Sequence, residues 1–107
     1  MVKDYHVHFV NLDPTIGMEM KKTRRCVVLS PSQMNATLGT VIIAPLTTTL
    51  RKYPSRVELR FGTKFCEVCL DQLRAVDETR LSKDSLGRLK EDDIEKIKDA
   101  ISEVFDL

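Results

Sequence analysis

The hydrophobic period changes once along this chain, and that change constrains the fold more than any other feature. Up to about residue 77 the apolar side chains come in short alternating or β-branched runs cut by proline and glycine, and after residue 90 they recur at steps of three and four. Period two belongs to strands and the three-and-four step to one face of a helix. Tyr5 to Leu12 reads as a half-buried strand, with Tyr5, Val7 and Phe9 on one face and His6, His8 and Val10 on the other. Asp13-Pro14 stops it, Gly17 keeps the next stretch loop-like, and residues 13 to 24 form a long loop ending in the basic cluster Lys21-Lys22-Thr23-Arg24-Arg25. A loop of that length in a compact domain is usually functional or mobile.

Cys26 to Leu29 reads as a short buried strand stopped by Ser30-Pro31, and Ser32 to Ala36 as one helical turn. Thr40 to Leu46 is rich in β-branched residues, but Pro45 has no N–H for a ladder, so that strand is expected to end, bulge or lie at an edge there. Ser55 to Arg60 forms another strand, and Gly62 marks a hairpin turn into Phe65 to Val76, read as one bent strand. Glu78 to Leu89 reads as a helical turn followed by a brief strand around Leu86 to Leu89. Ile94, Ile97, Ile101, Val104 and Phe105 then mark an amphipathic helix over residues 91 to 106, with Glu91, Asp92 and Asp93 at the positive end of its dipole. The expected plan is mainly β with a C-terminal α-helix: strands within residues 5 to 77 make a small barrel that the helix closes. One domain over residues 1 to 107 is expected, since a chain this long buries roughly 65% of its unfolded surface and has no material for a second core.

The formal net charge of +1 argues at first against a polyanion partner, because affinity for nucleic acid comes largely from Lys and Arg neutralising phosphates. The total conceals a division. Residues 1 to 60 carry nine basic and four acidic side chains, a net +5, and residues 61 to 107 carry eight basic and twelve acidic ones, a net −4. A concentrated basic patch binds phosphate whatever the sum. No apolar run approaches a membrane span, and Lys3, Asp4, His6 and His8 stand where a signal peptide needs an apolar core, so the chain is expected to be cytoplasmic with no membrane role. Three cysteines, Cys26, Cys66 and Cys69, are then expected to be reduced thiols.

Four segments in order carry a specific combination: Asn11-Leu12-Asp13-Pro14-Thr15-Ile16-Gly17 with Glu19; Thr23-Arg24 leading into Cys26-Val27-Val28-Leu29-Ser30-Pro31; Val41 to Thr49; and Leu70-Asp71-Gln72-Leu73-Arg74-Ala75-Val76-Asp77. Together they closely resemble the MazF/PemK family of toxins from toxin–antitoxin systems, from about Tyr5 to the C-terminal helix. The resemblance implies an SH3-like small β-barrel that forms a homodimer and cleaves single-stranded RNA, including mRNA, at short specific sequences, with no metal and no cofactor. It also implies a cognate antitoxin whose acidic, extended tail occupies the RNA groove. Such cleavage uses the ribose 2′-hydroxyl as nucleophile, so the protein needs only a nearby base, a cation over the developing phosphorane charge and a proton source for the leaving oxygen.

By that resemblance Arg24, at the junction of loop and strand, is the catalytic cation, since guanidinium makes planar, multiple contacts with phosphate oxygens. The family usually has Pro after this Arg; here Arg25 follows. If the strand starts here the two arginines point to opposite sides, and either can hold the role. Thr47 matches the family Thr at the end of the third strand and would hydrogen-bond a phosphate oxygen or the 2′-hydroxyl. Asp71 and Glu19 are the carboxylate candidates; Asp71 occupies the position of a base in the PemK branch and equally suits a structural part. That branch's loop His and strand Arg fall on Met18 and Cys69, so the chemistry resembles the MazF branch, with Arg24, Thr47 and Asp71 as the catalytic set. Glu19, Lys21, Lys22, Arg25, Thr48, Arg51, Tyr53 and Gln72 complete the expected RNA-binding set, with Tyr53 suited to stacking on a base.

Two alternatives stay open on the residues: a non-catalytic toxin of the same architecture, like the CcdB gyrase poison, and a catalytically degenerate RNA- or antitoxin-binding module. The CcdB-like action depends on a C-terminal Trp, and this chain has none, ending Phe105-Asp106-Leu107. Cys66-x-x-Cys69 supplies only two of the four ligands a structural zinc needs, and on a strand the two thiols face opposite sides. They read as small strand hydrophobes, with His6 and His8 as surface residues within reach of RNA.

Overall fold

The computed structural model describes residues 1–107 as one curled antiparallel sheet with a long helix against it. Seven strands, β1 (His6–Asn11), β2 (Thr23–Val28), β3 (Thr40–Thr47), β4 (Arg56–Phe61), β5 (Lys64–Cys69), β6 (Arg74–Asp77) and β7 (Gly87–Arg88), run in the order β4-β5-β3-β2-β1-β7. Strand β6 joins β3 beside this path. Two helices, α1 (Ser32–Leu38) and α2 (Glu91–Val104), and two single 3₁₀ turns complete the chain. No helix is long and apolar enough to cross a membrane.

The core lies on both faces of the sheet, and side-chain alternation sorts residues between them. On one face Val7, Val27, Ala44, Leu46, Val57, Leu59, Cys66 and Val68 pack against Ile94 and Ile97 of α2. On the other, Val10, Leu12, Cys26, Val28, Val41, Ile43 and Val76 form a second cluster. The first strand is therefore buried on both sides for most of its length instead of half-buried: Phe9 is exposed, whereas His8 is buried and its Nδ1 meets the Ser82 carbonyl at 2.9 Å. His8 is thus not a surface residue, and His6 pairs with the Ser85 hydroxyl at 2.7 Å. Cys26, Cys66 and Cys69 are buried free thiols, and burial pushes Cys26 up to about 12 and Cys69 up to about 11, which keeps them protonated.

Three boundaries differ from the sequence reading. The basic cluster is not all loop, since β2 begins at Thr23 and already contains both arginines. The helical turn after Pro31 runs two turns to Leu38, ended by Gly39 at φ 71°, whose N–H returns to the Asn35 carbonyl. The expected bent strand 65–76 is two strands separated by a 3₁₀ turn at Leu70–Gln72.

Pro45 neither ends β3 nor puts it at an edge: β3 is central, with β2 along one side. On its other side β6 pairs with Thr40–Ile43 and β5 with Leu46–Thr47, which leaves Ala44 and Pro45 unpaired there. The missing N–H falls where one partner strand hands over to the next, so no ladder bond is lost. The β4–β5 hairpin turns through Gly62 at φ 65° with Phe61 and Lys64 as its last pair.

Candidate RNA-cleaving groove

The same alternation decides which polar side chains can meet. Arg24 shares the face of Cys26 and Val28, whereas Arg25 pairs across β1 with Phe9 and projects to the opposite face, its guanidinium 5.8 Å from the Phe61 ring. Strand β2 pairs with β3 through Cys26 and Pro45; extended by two residues, that register sets Arg24 opposite Thr47, where a cleft opens. Thr47 pairs in turn with Glu67 of β5, and Cys69 on the same face pairs with Arg56 of β4. Arg24, Thr47 and Glu67 thus form one row across two strand pairs, and Arg56, on the same face of β4, lies diagonal to Glu67, whose own partner on β4 is Glu58.

The cleft along this row encloses about 480 Å³ and is walled by Arg24, Thr47, Thr49, Arg51, Tyr53 and Arg56, with Met18, Met20 and Gln72 closing one side. Its charged walls are all guanidinium. A smaller cavity of about 250 Å³ shares Arg24 and Thr47 and adds Phe9, Arg25 and Thr48, and another of about 240 Å³ shares Met20 and Gln72 and adds Glu19, Asp71 and Arg74. Shared walls link the three cavities and bring together Glu19, Arg24, Thr47, Thr48, Arg51, Tyr53, Asp71 and Gln72, while Arg25 borders the second cavity from the opposite face, beside Phe61. Lys21 and Lys22 stand exposed outside its walls; the Lys21 carbonyl accepts from Arg24 Nε at 3.1 Å and so aims the guanidinium.

Thr47 is buried, and its Oγ1 accepts the Thr49 N–H at 3.1 Å, which leaves the hydroxyl hydrogen free to donate into the cleft. Asp71 is bound instead to Arg56, Oδ1 to Nε at 3.2 Å and Oδ2 to Nη2 at 3.3 Å, and accepts the Ser55 hydroxyl at 3.1 Å. Burial pushes its carboxyl up, but the hydrogen bonds from Arg56, its own backbone N–H and Ser55, with the Arg56 charge, outweigh burial and hold it below the usual carboxylate value. Asp71 is therefore ionised at neutral pH and weakly basic. Glu19 caps its own loop, accepting the Ile16 N–H at 2.6 Å, and Gln72 Oε1 accepts the Met20 N–H at 3.3 Å, tying that loop to the 3₁₀ turn after β5.

The loop of residues 13 to 22 is held by polar hooks: Asp13 Oδ1 accepts the Lys22 N–H at 3.2 Å, and Arg80 Nη1 donates to the Asn11 and Asp13 carbonyls. Sequence reasoning missed Arg56 and Glu67. Arg56 alternates with the apolar Val57 and Leu59, which by itself points it away from the core, and the one signal for Glu67 is a lone charge inside the apolar run Phe65-Cys66-Glu67-Val68-Cys69.

The family model described as PemK-like, MazF-like toxin of type II toxin–antitoxin system matches residues 3–105. The chain is similar to Endoribonuclease EndoA of Bacillus subtilis (strain 168), 29% identical over 107 residues that cover 94% of this chain and 91% of that protein. Its fold matches the crystal structure of MazF from Deinococcus radiodurans at a TM-score of 0.86, with 23% identity and coverage of 99% of this chain and 97% of that one. It also matches an endoribonuclease solved in complex with its cognate antitoxin from a mycobacterial species, at a TM-score of 0.81, with 21% identity and coverage of 100% and 97%.

Proposed function

Because the chain belongs to the PemK-like, MazF-like toxins of type II toxin–antitoxin systems, we propose that it is an endoribonuclease toxin that cuts single-stranded RNA, mRNA included, at short specific sequences. A cognate antitoxin neutralises it by laying an acidic, extended tail along the same groove. The chain acts in the cytoplasm as a homodimer. The observation that carries this reading is the placement of Arg24 and Thr47 at the mouth of a cleft whose charged walls are all arginine.

Cleavage proceeds by attack of the ribose 2′-oxygen on the adjacent phosphorus: the P–O2′ bond forms, the P–O5′ bond breaks, and the 2′-proton is replaced on the leaving oxygen by one from solvent. The products are a 2′,3′-cyclic phosphate, which water opens to a 3′-phosphate, and a 5′-hydroxyl end. Charge accumulates on the non-bridging oxygens, and Arg24 meets it with parallel N–H donors while the Thr47 hydroxyl donates a further bond. Asp71 is the ionised proton acceptor of the groove. Its pairing with Arg56 makes it a weak base, so charge stabilisation by Arg24 outweighs proton abstraction as the source of rate. Nothing in this sequence of steps uses a metal.

The test is incubation of the purified protein with a long single-stranded RNA in excess chelator, followed by mapping of the ends. Discrete cuts with cyclic or 3′-phosphate and 5′-hydroxyl termini are expected, and Arg24→Ala should lower kcat by about 10²- to 10³-fold, the size of one lost donor to a developing oxyanion. Cleavage abolished by chelator, or undiminished in Arg24→Ala, overturns the mechanism; RNA bound but never cut identifies a binding module instead.

A further inference from the structure

Glu67 is 1% exposed, carries a carboxylate in the centre of the groove face, and belongs to none of the segments that carry the chemistry. An ionisable group so buried is retained only if its charge is fully met. Here it is met by the loop that links β3 to β4. The Arg51 N–H donates to both carboxylate oxygens at 3.1 Å, and the Lys52 N–H donates to Oε2 at 2.8 Å. Arg56 Nη1 lies 3.7 Å from Oε1. Lys52 holds a left-handed backbone at φ 58°, a conformation a non-glycine residue keeps only when its surroundings impose it.

The two amides that Glu67 holds belong to Arg51 and to the residue just before Tyr53, and both Arg51 and Tyr53 wall the main cleft. Its third partner, Arg56, lies 5.1 Å beneath the Tyr53 ring and binds Asp71 through its remaining nitrogens. Thr47, its neighbour across the ladder, fixes the other end of the same loop through the Thr49 N–H.

We propose that Glu67 is a positioning residue of the groove: from beneath the cleft it locks the β3–β4 loop so that Arg51 and Tyr53 face the RNA, the first toward a phosphate and the second toward a base. This rests on the reading of the groove as an RNA-cutting site. Glu67 touches no reacting atom. Arg51 and Tyr53 grip the substrate in the ground state and in the transition state alike, so loosening them raises KM and leaves kcat.

The test is kinetics of the full-length protein on a single-stranded RNA containing a cut site mapped with the unaltered chain, together with amide hydrogen exchange followed by NMR without RNA. Glu67→Gln keeps the side-chain shape but turns an amide N–H₂ toward the Arg51 and Lys52 N–H groups. It should raise KM about tenfold, the equivalent of one charge-assisted contact, with kcat held within about twofold. The Arg51 and Lys52 amides should exchange about tenfold or more faster, while those of β2 and β3 keep their rates. Glu67→Asp retains the charge and should recover part of both losses. If the Gln variant does not fold, Glu67→Asp alone carries the test, with a smaller rise in KM and the same two amides losing protection.

Unchanged KM and protection in a folded variant overturn the proposal, as does a fall in kcat at constant KM, which would place Glu67 in the chemistry. Should the unaltered chain cut no RNA, the functional reading fails, yet the exchange rates still decide whether Glu67 holds the loop.

Discussion

A single pair of neighbours, Arg24 and Arg25, shows how much a side chain's role depends on which face of a strand it takes. Arg24 lies on the groove face and Arg25 beside Phe61, so Arg25→Ala should leave kcat within a few-fold where Arg24→Ala abolishes most of it. Thr47 accepts the Thr49 N–H and keeps its hydroxyl hydrogen free to donate into the cleft. Thr47→Ser keeps both and should hold kcat within a few-fold; Thr47→Val loses both and should lower it by about 10²-fold, measured on the same RNA. For Asp71 the sign of the pH effect follows from its lowered folded value. The stability it contributes is fully present above the ordinary carboxylate value, about 3.9, and is lost as pH falls through the lower folded value. Urea unfolding of the protein and of Asp71→Asn should therefore differ by a constant amount from about pH 7 to 5, and the gap should close at lower pH. Arg24, Thr47 and Asp71 stand out in the sequence because they sit in recognisable strings. Glu67 does not, since its partners are backbone amides fifteen and sixteen residues away.

Among the elements, those with an unbroken period were legible. The existence of strand β1, the alternation in β4, the Gly62 hairpin and the three-and-four stripe of α2 each depend on local sequence alone, although the burial of β1 on both faces does not. Ile94 and Ile97 fix that helix to the sheet, each burying a side chain worth about 1.5–3 kcal/mol. Ile97→Ala should lower stability by about 2–5 kcal/mol, read as a shift in the urea midpoint, and half-buried Ile101→Ala by less. Elements whose bounds depend on tertiary partners were not legible. Leu70 and Leu73 continue an apolar pattern through a place where the chain turns, so one strand was expected where there are two. An end, a bulge or an edge was expected at Pro45 because nothing local says that its bare side faces a gap between two partner strands.

At the scale of the molecule the near-zero net charge resolves into a separation across the sheet. The arginine-walled groove opens on one face, and α2, with Glu91, Asp92, Asp93, Glu95, Asp99 and Glu103, packs on the other. A polyanion therefore meets a cationic surface despite a total of +1. Binding of an uncleavable RNA, 2′-deoxy at the cut site, should weaken steeply with salt. Removing one arginine of the cleft wall, such as Arg51, should make the slope shallower by about 0.7 for a single strand. A soluble acidic peptide should compete with that RNA and show the same sign of salt dependence.

The β3–β4 loop is fastened at both ends by side chains of the sheet, Thr47 at its start and Glu67 toward its end, through main-chain amides that any residue but proline can supply. Its outward residues, Leu50 among them, take no part in that fastening, and the Tyr53 side chain meets it only through its ring over Arg56. The framework and the reading head are separate parts, so the letters of the loop can be rewritten while its backbone keeps its shape. Exchanging those outward side chains should redirect which RNA sequence is cut without rebuilding the machinery that cuts it.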